Sequence, residues 1–297
     1  MRSSHISRHR LKENLIKILS LLSSLFFAVS AVADEASWSA PHAPYQITDN
    51  IYNVGTAGIS VYLITTPKGH ILLDGATQAG AAIVEANIQR LGFKLKDIKH
   101  LIENHAHSDH VGGVAQLKKD TGATFIASKA DRYGLEHGIL DSDANWTDTF
   151  TPIKVDKTID DGKELILGGV HLQAIITPGH TKGCTSWLTE SQDKGVLRRV
   201  IFVCSLTTAG NSLSLVGNKL YPSIATDFRN SFARLKQVKA DVVLSGHPEA
   251  TNLEQKYLAQ VNGKKDAFVN PDELLNLVTK AEEKFEEELK QQQESKP

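Results

Sequence analysis

The stretch Asn104-His105-Ala106-His107-Ser108-Asp109-His110-Val111-Gly112-Gly113 places four metal-binding side chains within six residues. Random placement at this composition would give H-x-H-x-D-H in about one chain in a thousand. Alternate side chains of an extended segment share a face, so His105, His107 and Asp109 are expected to converge. His110 would then turn toward a second position. The spacing therefore predicts two neighbouring metal ions.

Two more histidines follow strand-like segments. A T-P-G-H motif ends at His180 after the apolar run 170–176, and an S-G-H motif ends at His247 after the run 242–244. Open α/β sheets assemble their sites in loops beyond strand ends. Imidazoles with one carboxylate and no thiolate are the ligands of catalytic rather than structural zinc. These two histidines supply the ligands that two open zinc sites need.

Strand-like and helical patterns alternate along the chain. Apolar strand-like runs occur at 60–64, 70–73, 124–126, 199–203 and 241–244, and helical spacing occurs at 81–91 and 113–119. Such alternation predicts a layered α/β core. No linker or internal repeat divides the chain, so residues 34–297 are expected to form one domain.

The C-terminal segment predicts an amphipathic helix that packs on the core. Asn270 and Glu273 match a capping box, with Pro271 at the first helical position. The apolar positions recur at helical spacing and are Leu274, Val278, Ala281, Phe285 and Leu289. We expect the charged end, residues 282–297, to be solvated and frayed.

The composition is that of an ordinary globular protein. Of 297 residues 41% are hydrophobic, and 33 Lys and Arg against 34 Asp and Glu give a net charge of −1. A nucleic-acid binder would usually show a basic excess, so no nucleic-acid partner is expected. We expect a monomer.

Residues 1–33 have the three parts of a secretory signal peptide. Basic residues precede an apolar run at 18–29, which ends in Ala31-Val32-Ala33. The run is shorter than the roughly 20 residues of a membrane span, which argues against an anchor. Cleavage would remove five positive charges and one negative charge and change the net charge from −1 to −5. We therefore expect a periplasmic protein with no membrane segment after cleavage.

Together with Leu72-Leu73-Asp74-Gly75, these motifs make the sequence resemble the metallo-β-lactamase superfamily over nearly all of residues 34–297. The resemblance implies an α/β fold, a four-layer αββα sandwich with two zinc ions at one edge of its sheets. It implies that His105, His107 and His180 hold the first zinc. Asp109, His110 and His247 would hold the second, and Asp74 would orient the loop that carries the ligands.

A further motif concerns the substrate class. Many members of this superfamily have an Asp that bridges both metals, but residues 202–211 of this chain contain no carboxylate. The pattern resembles subclass three of the class B (zinc) β-lactamases, in which Ser stands at the position matched here by Ser205. The resemblance implies that Ser205 and Thr207 bind the substrate carboxylate. It implies that Trp38 walls the cleft, although simple core packing explains Trp38 equally well.

The activity implied is hydrolysis of the β-lactam amide of penicillins, cephalosporins and carbapenems, which would confer antibiotic resistance. A zinc-bound hydroxide would attack, with the first zinc polarising the carbonyl and Asp109 orienting the nucleophile. No acyl-enzyme is expected, and the partner that the resemblance implies is a small-molecule substrate. The alternative within the fold is an exported zinc hydrolase acting on a lactone or thioester. A non-catalytic zinc-binding protein is a further alternative, which the complete ligand set disfavours.

The two cysteines permit two interpretations. Strand alternation would turn Cys204 away from the site if Ser205 faces it, and a bulge at that point would alter this orientation. Cys184 and Cys204 could be free buried thiols or form one disulfide, which the periplasm permits.

Two residues depart from the family pattern, and one tripeptide matches a glycosylation motif. The chain departs from the family pattern at Asn104, where Thr or Ser is common, and at Lys182, where Pro is common; neither change removes a ligand. Asn145-Trp146-Thr147 fits a glycosylation acceptor, but a bacterial-type export signal argues against that use.

Overall fold

The structure is a computed structural model that describes residues 36–142, 144 and 147–295. The predicted signal peptide, and Asn145 and Trp146 of the glycosylation motif, lie outside these residues. Within them, no helix is both long enough and apolar enough to cross a bilayer.

The first sheet has seven strands in the order β1-β2-β3-β4-β5-β6-β7. The first four strands pair antiparallel, whereas β4, β5, β6 and β7 pair parallel. The strands are β1 (Tyr45–Thr48), β2 (Ile51–Asn53), β3 (Tyr62–Thr66), β4 (Gly69–Leu73), β5 (Ile98–Ile102), β6 (Thr124–Ser128) and β7 (Lys157–Ile159).

The second sheet has five strands in the order β12-β11-β10-β9-β8. Strands β8 to β11 are antiparallel, and β12 joins β11 in parallel. The strands are β8 (Glu164–Leu167), β9 (Val170–Ile176), β10 (Thr185–Asp193), β11 (Val196–Val203) and β12 (Val242–Ser245).

Helices cover the outer faces of both sheets. They are α1 (Ala81–Arg90), α2 (Ser108–Val111), α3 (Val114–Thr121), α4 (Arg132–His137), α5 (Ile224–Leu235), α6 (Leu253–Val261) and α7 (Glu273–Ser295), with short 3₁₀ turns at Leu95–Asp97 and Pro248–Thr251.

Three apolar cores separate four layers. The central core lies between the sheets and contains Tyr62 of β3, Trp187 of β10 and Phe202 of β11. One outer core packs the first sheet against α1 and α3. The other packs β11 and β12 against α5 and α7. The predicted αββα sandwich is therefore confirmed.

The C-terminal helix differs from its prediction at both ends. It begins at Glu273, whose carboxylate binds Lys256 Nζ at 2.6 and 2.7 Å instead of closing a capping box. Its far end is not frayed, because the helix continues to Ser295 with Phe285 and Leu289 buried. Phe285 packs against Phe228 of α5 at a ring-centroid distance of 5.0 Å. The burial of Phe285 and Leu289 agrees with the predicted apolar stripe, whereas the expectation of fraying, which rested on the charged residues between them, is wrong.

Candidate metal centre

Three of the predicted ligands converge from two loops. His105 and His107 lie in the ligand loop, residues 104–110, which follows β5, and His180 lies in the loop after β9. Their ring centroids are 4.5 to 4.7 Å apart. Each ring offers a nitrogen within 4.8 Å of the other two, and all three residues are buried. We call these residues the first triad.

Hydrogen bonding orients the first triad. The Nδ1–H of His180 donates to the carbonyl oxygen of Thr207 at 2.7 Å, which leaves Nε2 with a free lone pair. The Nε2 atom of His105 is buried and has no hydrogen-bond partner. A buried polar atom without a partner costs about 1–3 kcal/mol, and a metal ion would remove that cost.

The other three predicted ligands form a second triad, Asp109, His110 and His247. The Oδ2 atom of Asp109 lies 3.4 Å from His110 Nε2 and 3.2 Å from His247 Nε2. The two Nε2 atoms are 3.3 Å apart. Three potential ligand atoms therefore point at one position. The extended-chain explanation is wrong in one respect, because Ser108 begins α2 and a helical turn places Asp109 and His110.

Asp74 supports the ligand loop from behind. It is fully buried after β4, and its Oδ1 accepts the backbone N–H of Asn104 at 2.7 Å. Its Oδ2 lies 3.1 Å from His110 Nδ1, so it accepts the hydrogen of that nitrogen. A Cβ on Gly246 would lie 2.4 Å from His110 Cε1. Glycine beside His247 is therefore required for the two loops to approach.

The two triads differ in charge. Burial lowers the pKa of His105 and His180 well below the ordinary histidine value and that of His107 to about 4. These imidazoles are therefore neutral, the form that binds metals. Burial would lower the pKa of His110 and raise that of Asp109, but their mutual attraction outweighs it. The pKa of His110 is raised to about 10, and that of Asp109 lies well below its ordinary value.

Cys184 and Cys204 form a disulfide with a Cα–Cα distance of 5.9 Å. The sequence left free thiols and a disulfide as alternatives, and the structure contains the disulfide. The sulfur of Cys204 is buried behind the first triad, 3.8 Å from His105 Nδ1, whereas the partnerless ring nitrogen of His105 is Nε2. Because the sulfur is bonded to Cys184, it offers no thiolate to a metal.

The triads lie at the floor of a cleft of about 740 Å³. Ser205 and Thr207 line one side, with their hydroxyl oxygens 3.3 Å apart. Trp38 also lines the cleft, with its ring 5.8 Å from that of His247, and it packs on the outer core of the first sheet. The position of Trp38 is therefore compatible both with a wall of the cleft and with core packing.

Sequence reasoning missed two buried carboxylates that join the loops. Asp131 accepts hydrogen bonds from Ala106 N at 3.3 Å, Thr181 Oγ1 at 2.8 Å and Gly183 N at 2.8 Å. Asp148 accepts the N–H of Ser108 at 3.0 Å. Both residues lie in polar stretches without a motif, so no local signal could have identified them.

The two departures from the family pattern have structural partners away from the triads. Asn104 donates through Nδ2 to the carbonyl oxygen of Thr185 at 3.0 Å, which links the ligand loop to β10. Lys182 pairs with Asp141 at 2.8 Å. Neither side chain competes for the ligand positions.

Comparisons with known proteins agree with this arrangement. The chain is 40% identical to BJP-1, a subclass B3 metallo-β-lactamase of Bradyrhizobium japonicum; the match covers 87% of this chain and 98% of that one, with a TM-score of 0.82. It is 24% identical to a hydroxyacylglutathione hydrolase of Methylococcus capsulatus over 68% of this chain and 66% of that protein. It is 23% identical to the N-acyl homoserine lactonase AttM of Azorhizobium caulinodans over 65% of this chain and 82% of that protein.

The sequence profile of the Metallo-beta-lactamase superfamily matches residues 54–247, the span from the end of β2 to the last residue of the second triad. With the shared fold and the histidine-rich centre, this match shows that the chain belongs to the metallo-β-lactamase superfamily of metal-dependent hydrolases.

Proposed function

We propose that this protein is a zinc-dependent β-lactamase that hydrolyses the amide bond of β-lactam antibiotics. The observation that carries the proposal is the cleft wall after β11. There residues 204–211 present the hydroxyls of Ser205 and Thr207 and contain no carboxylate. The similarity to BJP-1, which extends over nearly all of that chain, supports the same substrate class.

The residues fit two zinc ions. The two triads supply five imidazoles and one carboxylate, a donor set typical of catalytic zinc. The partnerless Nε2 of His105 favours a metal at the first triad. The three close ligand atoms of the second triad favour another there, where the ion would take the place of the proton that His110 shares with Asp109. Bound zinc would supply Lewis acidity, which polarises a carbonyl and makes water a stronger acid.

The chain's own residues would perform three tasks around these ions. Asp109 stays ionised beside His110, so its carboxylate can accept a hydrogen bond from the attacking water and orient it. Ser205 and Thr207 can donate hydrogen bonds to the carboxylate of a β-lactam. Trp38 offers an apolar surface to the rest of the substrate.

A lactone or thioester substrate is the second candidate. The similarity to a hydroxyacylglutathione hydrolase and to an acyl-homoserine lactonase favours it. Those matches have 24% and 23% identity, against 40% for BJP-1. β-Lactam hydrolysis is therefore the preferred proposal.

Export to the periplasm completes the proposal. The signal-like residues 1–33 support it, as does the Cys184–Cys204 disulfide, since such bonds persist in oxidising compartments. The protein purified from cells should begin at Asp34 when its N-terminus is sequenced. Intact Met1 on the bulk of the active protein would contradict export by cleavage.

His180→Ala and His247→Ala should each lower the zinc content from two ions per chain to about one, because each removes one of three ligands. Elemental analysis after gel filtration measures this. His171→Ala is the control, since that histidine is exposed on β9 and pairs with Glu164. Equal zinc loss in all three variants would contradict the ligand assignment.

Ser205→Ala should lower kcat/KM for a penicillin about ten- to hundredfold while both zinc ions remain bound. The reason is the loss of a hydrogen bond to a charged group, worth about 1.5–3 kcal/mol. Steady-state kinetics on the zinc-loaded enzyme measures it. Ser212→Ala removes another hydroxyl from the same cleft and should change kcat/KM less than about threefold. If both variants behave like the wild type, Ser205 does not bind the carboxylate.

A further inference from the structure

The C-terminal helix reaches the candidate active site from the far side of the second sheet. Leu277 and Ala281 of α7 line the same cleft as the two triads. Further along the helix, Phe285 and Leu289 are buried in the outer core that covers β11 and β12 of the second sheet. The cleft-facing segment of the helix is therefore fixed by packing against the body of the protein.

The polar face of this helix binds the segment that carries the candidate substrate contacts. We call this segment, residues 204–215, the hydroxyl loop. Gln292 accepts the backbone N–H of Leu215 through Oε1 at 2.7 Å. Its Nε2 donates to Asn211 Oδ1 at 2.7 Å and to the carbonyl oxygen of Leu213 at 2.9 Å. One side chain thus makes three hydrogen bonds to three residues of the loop.

A second contact lies one helical turn earlier. The Oγ1–H of Thr208 donates to the carboxylate of Glu288, and both residues are buried, with exposed fractions of 2% and 8%. Thr208 Oγ1 in turn accepts the N–H of Asn211 at 3.2 Å. A buried carboxylate that loses its hydrogen-bond donor is destabilised, so this contact resists opening of the loop.

The hydroxyl loop also contacts the metal centre. Thr207, next to Thr208, provides the carbonyl oxygen that orients His180, and its hydroxyl stands beside that of Ser205. A shift of the hydroxyl loop would therefore move both candidate carboxylate-binding groups. The hydrogen bonds that these two hydroxyls donate to a substrate carboxylate depend on their positions, so such a shift would weaken substrate binding.

We propose that Gln292 and Glu288 of the C-terminal helix are positioning residues that hold the hydroxyl loop in its substrate-binding conformation. The identity of the substrate rests on the proposed function. The hydrogen bonds of Gln292 and Glu288 to the hydroxyl loop, which we call the clamp, do not depend on it. The residues do not touch the reacting atoms. Their effect is on substrate affinity through Ser205 and Thr207.

The test compares Gln292→Ala with Gln291→Ala in the full-length zinc-loaded protein. Gln291 is exposed on the same helix, and its Nε2 donates to Glu287 Oε1 of that helix at 3.4 Å rather than to the hydroxyl loop. In Gln292→Ala, hydrogen exchange of the loop amides, Leu215 above all, should accelerate about tenfold or more, because its acceptor is gone. KM for a penicillin should rise about tenfold with kcat within about threefold of wild type. Gln291→Ala should change neither quantity.

A purely structural role predicts a different pattern. It would lower the Tm and the active fraction, and so the apparent kcat, with KM unchanged, and that result would overturn the proposal. Unchanged exchange of Leu215 would also overturn it. Rescue gives an independent check: Glu288→Gln keeps an acceptor for Thr208 and should retain the wild-type KM, whereas Glu288→Ala should raise it. Equal KM values for these two variants would count against the clamp.

A failure of the clamp can be distinguished from a failure of the proposed function. If the wild-type protein hydrolyses no β-lactam but cleaves an acyl-homoserine lactone or a glutathione thioester, the proposed function fails. The same KM comparison is then made with that substrate. Faster exchange with a raised KM still supports the clamp, and an unchanged KM overturns it.

Discussion

The carboxylate of Asp74 makes the two interactions on which the metal centre depends. One oxygen fixes the backbone where the ligand loop begins, and the other fixes the ring of His110 within the second triad. A fully buried carboxylate would cost several kcal/mol without such partners, so the bonds are required for folding as well as for geometry. Asp74 itself has φ of 68°, in the left-handed region. Asp tolerates that conformation better than most residues, and the surrounding contacts hold it there.

The rest of the site follows from joining loops of two sheets. The ligand loop follows β5 of the first sheet, whereas His180 and His247 follow β9 and β12 of the second. Asp131 bonds the ligand loop to the loop of His180, and the disulfide joins that loop to the end of β11. These buried links hold the imidazoles of the first triad together, and burial lowers the pKa of His105 and His180 so that both rings stay neutral. Neutral rings held close together have lone pairs that a metal ion can bind without rearrangement of the site.

Much of this could be predicted from sequence because the decisive signals are local. Strand β9 has the predicted bounds, and the six candidate ligands lie as two triads because each follows a strand end. The partners that support the ligands were not predictable, since they are distant in sequence. Asp131 lies 52 residues from Gly183, and Gln292 lies 77 from Leu215. The end of α7 was mispredicted because its charged residues suggested solvation.

The proposed β-lactamase activity rests on the two metal triads and on the hydroxyls of Ser205 and Thr207 beside them. The most direct measurement is a hydrolysis panel with the zinc-loaded protein on a penicillin, a cephalosporin, a carbapenem, an acyl-homoserine lactone and a glutathione thioester. We expect kcat/KM for at least one β-lactam to exceed that for the lactone and thioester by a hundredfold or more, and the activity to disappear on chelation. Faster turnover of the lactone or thioester, or β-lactam hydrolysis that survives complete removal of zinc, would contradict the account.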